Sequence, residues 1–145
     1  MHPAAAQALF AEETAAFTQA LAARRAWTFH TVAFPMIDCS FAAINRTPLR
    51  LRFACDDWND MPPSISLHSL DGALLTQPIT NATGVFHPGP HPGTQRLFIC
   101  MRGAREYHTH PSHVGDHWSN VRGQSSFTLG GILTQVWHAW LKGRG

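Results

Sequence analysis

The stretch "PLRLRFAC", residues 48–55, most constrains the chain. Leu49, Leu51 and Phe53 alternate with Arg50 and Arg52. A period of two suits a half-buried strand, with one face in a core and the other in water. Its neighbours read the same way. "WTFHTVAF" and "IDCSFAAI" before it are rich in aromatic and β-branched residues, and "SISLHSL" after it resumes alternation through Ile65 and Leu67. Pro35, "NRTP" and the turn "DDWNDMPPS" separate these runs, because consecutive prolines cannot continue a ladder. The pattern predicts an antiparallel meander of about four strands.

Helices are expected on either side. Residues Ala4 to Arg25 are dominated by alanine and straight side chains, with Phe10, Phe17 and Leu21 near helical spacing, so one helix packing a narrow face is predicted. In "SSFTLGGILTQVWHAWLKGRG", Leu129, Ile132, Leu133, Val136, Trp137, Trp140 and Leu141 form a helical stripe. Ser125 or Ser126 can cap its start, and Lys142 and Gly143 suit its end. Between meander and stripe, "TNATGVFHPGPHPGTQR" reads as irregular backbone. The chain has no internal repeat or linker, so residues 1–145 are expected to form a single α+β domain.

Charge narrows the function classes. The formal net charge is +2 with no basic run longer than "ARRA", so a nucleic-acid interface is not expected. Glu12 and Glu13 interrupt the N-terminal segment, which argues against a signal peptide or membrane span. Three cysteines cannot all pair, and reduced thiols in a cytoplasmic location are the simpler expectation.

The chemistry concentrates in "CMRGAREYHTHPSHVGDHWSNVR", residues 100–122. "HTHP" is similar to the metal signature of JAMM-type metalloproteases, and residues at i and i+2 on an extended segment can reach one ion. However, seven residues separate Pro111 from Ser119, one more than that family uses, and Arg122 stands where its aspartate belongs. A zinc site from His108, His110 and His113, with Cys100 as a fourth ligand, is an alternative. The leading reading is a nucleophile. Cys100 ends the apolar run "LFIC" where the chain turns polar, which places the thiol at the lip of a core and within reach of histidines. Cys39 and Cys55 lack that change and are expected in the core. His117 and His138 are expected to be solvated.

The order of these parts resembles the ubiquitin-conjugating (E2, UBC-fold) family, specifically the prokaryotic E2-like proteins of bacterial conjugation operons. The "HPG" at His91 lies nine positions before Cys100, close to the family's His-Pro-Asn spacing, and Trp118-Ser119 precedes the final helix as the family's Trp-Ser-Pro does. Gly93 and Asn120 depart from those motifs, and the family's two further C-terminal helices are missing. The resemblance implies a UBC-like fold in which Cys100 receives a ubiquitin-like C-terminus from an E1-type activating enzyme. It implies catalytic assistance from His108, His110 and Asp116, and an active-site loop shaped by His91, Pro92 and Trp118. No cofactor is implied. A JAMM-type peptidase from the same operon is an expected associate, and antiphage defence an expected setting. A catalytically inactive adaptor that binds the ubiquitin-like protein is a further alternative.

Overall fold

A computed structural model describes residues 1–79 and 83–143. Four strands, β1 (Trp27–Ala33), β2 (Met36–Phe41), β3 (Leu49–Ala54) and β4 (Ser64–His68), form an antiparallel sheet in sequence order. Alternation in β3 does what it predicts: Leu49, Leu51 and Phe53 are buried, while Arg50 and Arg52 lie on the opposite face. Ile37, Cys39, Phe41, Ile65 and Leu67 complete the inner face. At roughly 25 cal/mol per Å² of apolar surface, this face is a major stabilising element.

The terminal helix α4 (Leu129–Lys142) covers that face. Leu129, Ile132, Leu133, Val136 and Trp140 are buried, and the Trp140 ring lies 5.6 Å from that of Phe41. Trp137 is half-buried against Trp27, whereas Leu141 at the stripe's edge stays exposed. Thr128, rather than Ser125 or Ser126, caps α4, accepting from Gly131 N–H at 3.0 Å. The two serines belong to a separate 3-10 turn, Ser125–Phe127.

Two elements differ from expectation. The N-terminal helix is two helices, α1 (Pro3–Thr14) and α2 (Gln19–Arg25). Thr18 breaks them because its hydroxyl caps α2, accepting from Leu21 N–H at 3.2 Å, an alternative to continuing the helix. The break lets Phe17 stack on Phe29, with ring centroids 5.3 Å apart. The His-Pro segment is not wholly irregular: β5 (Phe86–Pro90) pairs with β6 (Leu97–Ile99) as a two-stranded ribbon. Its prolines are tolerated because β5 has only one partner strand and its register shifts between Phe86 and Pro90. The first residues of that segment, 80–82, lie outside the described residues.

Candidate active site

Cys100 leaves the end of β6, where its N–H donates to the Val85 carbonyl at 2.6 Å. The chain then turns through Gly103, whose φ of +96° suits glycine. A Cβ there would meet Ile132 Cγ1 at 2.9 Å, so the turn sits directly on α4. A short helix, α3 (Arg105–Thr109), follows.

The Pro-Pro turn and β4 anchor α3. Arg105 donates from N–H to the Pro63 carbonyl at 2.9 Å and from Nε to the Pro62 carbonyl at 3.1 Å. The buried Glu106 carboxylate accepts from Ile65 N–H at 2.6 Å and from the Ser64 hydroxyl at 3.0 Å. Burial pushes the Glu106 pKa up, against those two hydrogen bonds, which lower it.

The imidazole on the thiol is His113. Its Nε2 lies 3.5 Å from Cys100 Sγ, and its ring stacks on Tyr107 with centroids 4.1 Å apart and planes 16° from parallel. Tyr107 is held in turn. Its hydroxyl donates to Asp116 Oδ2 at 2.7 Å, and Arg102 Nε donates to the same oxygen at 2.7 Å. These two donors hold the Asp116 carboxyl down to about 2, so it remains charged. Arg102, Asp116 and Tyr107 therefore form a polar brace behind the His113 ring.

His108 plays a different part from the one its spacing suggests. Its Nδ1 lies 2.8 Å from the Asp116 carbonyl, and its Nε2 accepts from Gly103 N–H at 3.1 Å. A carbonyl only accepts and an amide N–H only donates, so this ring is the neutral Nδ1–H tautomer. Burial also pushes its pKa down. Both nitrogens are committed to backbone, which makes His108 a brace for the loop rather than a proton carrier for Cys100. Asp116 does orient an imidazole, but through its carbonyl.

His110 is half-buried and also bonds to backbone. Its Nδ1 accepts from Ser112 N–H at 3.2 Å and lies 2.6 Å from the Ser112 hydroxyl, capping the turn Pro111–His113. The ring stacks on Phe98 at 5.6 Å and lies 5.8–5.9 Å from the rings of His87, His91 and His113. His91 is buried, its Nδ1 accepting from Gly93 N–H at 2.9 Å while Nε2 meets the Thr109 hydroxyl at 3.1 Å. It thus ties the Pro92 turn to α3. Pro92 itself is exposed. Trp118 donates from Nε1 to the Asn59 carbonyl at 2.8 Å and packs between Trp58 and Phe127, anchoring the far end of the loop.

The thiol is partly exposed, and burial raises its pKa. Cys39 and Cys55 are buried, and desolvation pushes Cys39 up to about 12 and raises Cys55 too. Cys100 is therefore the reactive candidate of the three. His117 and His138 are exposed, as expected. Among the described residues no three His, Cys, Asp or Glu side chains are arranged to hold a metal ion. Of the set His108, His110 and His113, His108 has both nitrogens on backbone groups, while His110 has only Nδ1 so engaged.

The sequence points to His113 only through the metal alternative and does not single out Tyr107, Arg102 or Glu106. The available signal was the chain's single tyrosine, six residues before His113 inside the reactive stretch.

Comparison with known proteins bears on this same segment. Residues 91–143 match the Y4jH-like (Y4jH) family. That likeness reaches a little over a third of the chain. Over 39 residues the chain is 46% identical to the uncharacterized protein y4jH of Sinorhizobium fredii (strain NBRC 101917 / NGR234). The matched stretch covers 27% of this chain and 19% of that protein's length. The family match runs from His91 through the Cys100 loop to the end of α4.

Proposed function

We propose that this chain is an E2-like carrier with a UBC-like fold, holding a ubiquitin-like C-terminus as a thioester on Cys100. The observation that carries the reading is the partly exposed Cys100 thiol, 3.5 Å from His113 Nε2, at the end of a strand beside the four-stranded meander. The helix–meander–cysteine–helix order supports the fold assignment.

The chemistry follows from the pair. Cys100 Sγ attacks the thioester carbonyl of the activating enzyme's adduct while His113 Nε2 takes the thiol proton. The new C–S bond forms, the enzyme's sulfur leaves, and it collects that proton. In the second step an acceptor amine or thiol attacks, Cys100 leaves as thiolate, and the acceptor's proton returns to the sulfur through His113. A thioester is already activated, so positioning supplies most of what the site must add. His108 and Asp116 act as positioning residues, and His110 and His91 wall the site.

The partners that suit this chemistry are an E1-type activating enzyme and a ubiquitin-like protein, with a JAMM-type peptidase as an operon associate in bacterial antiphage defence. A cytoplasmic location accords with that role. Among the described residues no helix is long and apolar enough to cross a membrane. Reconstitution with an E1-type activating enzyme, a ubiquitin-like protein and ATP tests the reading on non-reducing gels. A thiol-sensitive adduct lost in Cys100→Ala is expected. An activating enzyme that charges itself but never this chain would refute it.

A further inference from the structure

The outer face of the sheet carries a second polar constellation, apart from Cys100. Strand register builds it. Asp38 pairs with Arg52 and Arg52 with Ser66, while the next row sets Ser40, Arg50 and His68 side by side. Asp38 is 8% exposed and binds both arginines: Arg50 donates from Nε and Nη2 at 2.8 Å, and Arg52 from Nε at 3.2 Å. One carboxylate thus fixes two guanidiniums.

Beside them lies an open pocket of about 380 Å³, lined by Arg52, Ser66, His68, Gly72 and Arg96 among others. Ser66 Oγ is 2.7 Å from His68 Nε2, and His68 Nδ1 is 3.0 Å from the Gly72 carbonyl. Since that carbonyl only accepts, His68 carries its hydrogen on Nδ1, and Ser66 donates its hydroxyl to Nε2. Arg52 has its Nη groups left over after the Nε bond to Asp38. The Arg96 guanidinium makes no hydrogen bond or ion pair among the described residues.

The carboxylates nearby are already committed. Asp38 gives both oxygens to the arginines, and Asp71 accepts from Ala73 N–H at 3.0 Å and from the Ser69 hydroxyl. Two guanidiniums therefore line one cavity, with Ser66 and His68, whose hydrogens are already given to His68 Nε2 and the Gly72 carbonyl, as its wall. Planar N–H forks match the oxygens of a phosphoryl group, and an arginine already fixed loses less freedom on binding.

We propose that this pocket binds a phosphoryl oxyanion, held by Arg52 and Arg96 with Ser66 and His68 at its floor. Free phosphate and a small phosphate monoester share that chemistry. The test is a ¹H–¹⁵N titration of the full chain with inorganic phosphate and, separately, with phenyl phosphate. Sodium chloride at matched ionic strength is the reference. Saturable shifts centred on Ser66, His68, Gly72 and Arg96 are expected with at least one probe. Tighter binding of phenyl phosphate identifies a monoester ligand, and tighter binding of phosphate identifies the free ion. Arg96 is exposed, so Arg96→Gln keeps the fold and should weaken binding by about tenfold, in line with loss of a charge-assisted pair. Arg52→Lys, which keeps a cation beside Asp38 but loses the planar fork, is a second variant and should also weaken it. Shifts that track chloride without saturating, or an unchanged affinity in Arg96→Gln, would overturn the proposal.

Discussion

Tyr107 lies flat against His113, with ring centroids 4.1 Å apart and planes 16° from parallel. The hydroxyl end of Tyr107 is fixed by Asp116 at 2.7 Å, so the stack and the brace can be separated by substitution. Tyr107→Phe keeps the ring and should lower the rate of Cys100 alkylation by iodoacetamide by no more than about fivefold, since a single hydrogen bond is worth roughly 1 kcal/mol. Tyr107→Leu removes the stack and should slow alkylation by about tenfold, as a misplaced base does. Rescue by Phe but not by Leu distinguishes ring positioning from the hydroxyl's bond to Asp116.

His113 and His108 should separate by phenotype. His113→Gln removes the base facing Sγ and is expected to reduce thioester loading by about 100-fold with little change in melting temperature, the range general-base loss produces. His108→Gln breaks the Gly103–Asp116 brace and should lower melting temperature as well as loading. Thermal denaturation run beside single-turnover loading checks both. Equal effects from the two variants would mean that His113 acts only structurally.

The thiol's own titration gives a pH prediction. Burial raises the Cys100 pKa, so its thiolate population should grow only above the usual thiol value of about 8.5. Iodoacetamide alkylation followed by mass spectrometry from neutral to alkaline pH should show a rate still climbing past that value. A plateau below neutral pH would show a pre-ionised thiolate instead.

Glu106 links the site to β4 and has a pH signature of opposite sense to an ion pair. Its folded-state pKa is raised, so the folded chain holds a proton that the unfolded chain has lost. Its contribution is most favourable below the ordinary carboxylate value and declines as pH rises through the raised folded one. Glu106→Gln should flatten that part of the stability profile in urea unfolding, while Glu106→Ala should cost about 1–3 kcal/mol by leaving the buried Ile65 N–H without its acceptor. A profile unchanged in Glu106→Gln would contradict the assignment.

Much of the fold was legible because its signals are local and periodic. The Leu49–Phe53 alternation and the Leu129–Trp140 stripe each depend on which residues face one core. The split at Thr18 is not legible because its alanine-rich surroundings favour helix on either side, and only the side-chain cap and the Phe17–Phe29 stack decide against it. At the site, the partial exposure of Cys100 and the core character of Cys39 and Cys55 followed from flanking polarity. Which histidine meets the sulfur did not. Spacing favoured His108 and His110, but the backbone partners that occupy them come from Gly103, Asp116 and Ser112 through turns that periodicity does not encode.

The most direct measurement uses a peptide ending in Gly-Gly as its mercaptoethanesulfonate thioester, which needs no activating enzyme. Intact-mass analysis of the chain after incubation at pH 7.5 should show one peptide added at Cys100, removed by dithiothreitol and absent from Cys100→Ala. Cys39 and Cys55 should stay unmodified. Acylation of a buried cysteine in place of Cys100, or none under conditions that charge a small-molecule thiol, would contradict a carrier thiol at position 100.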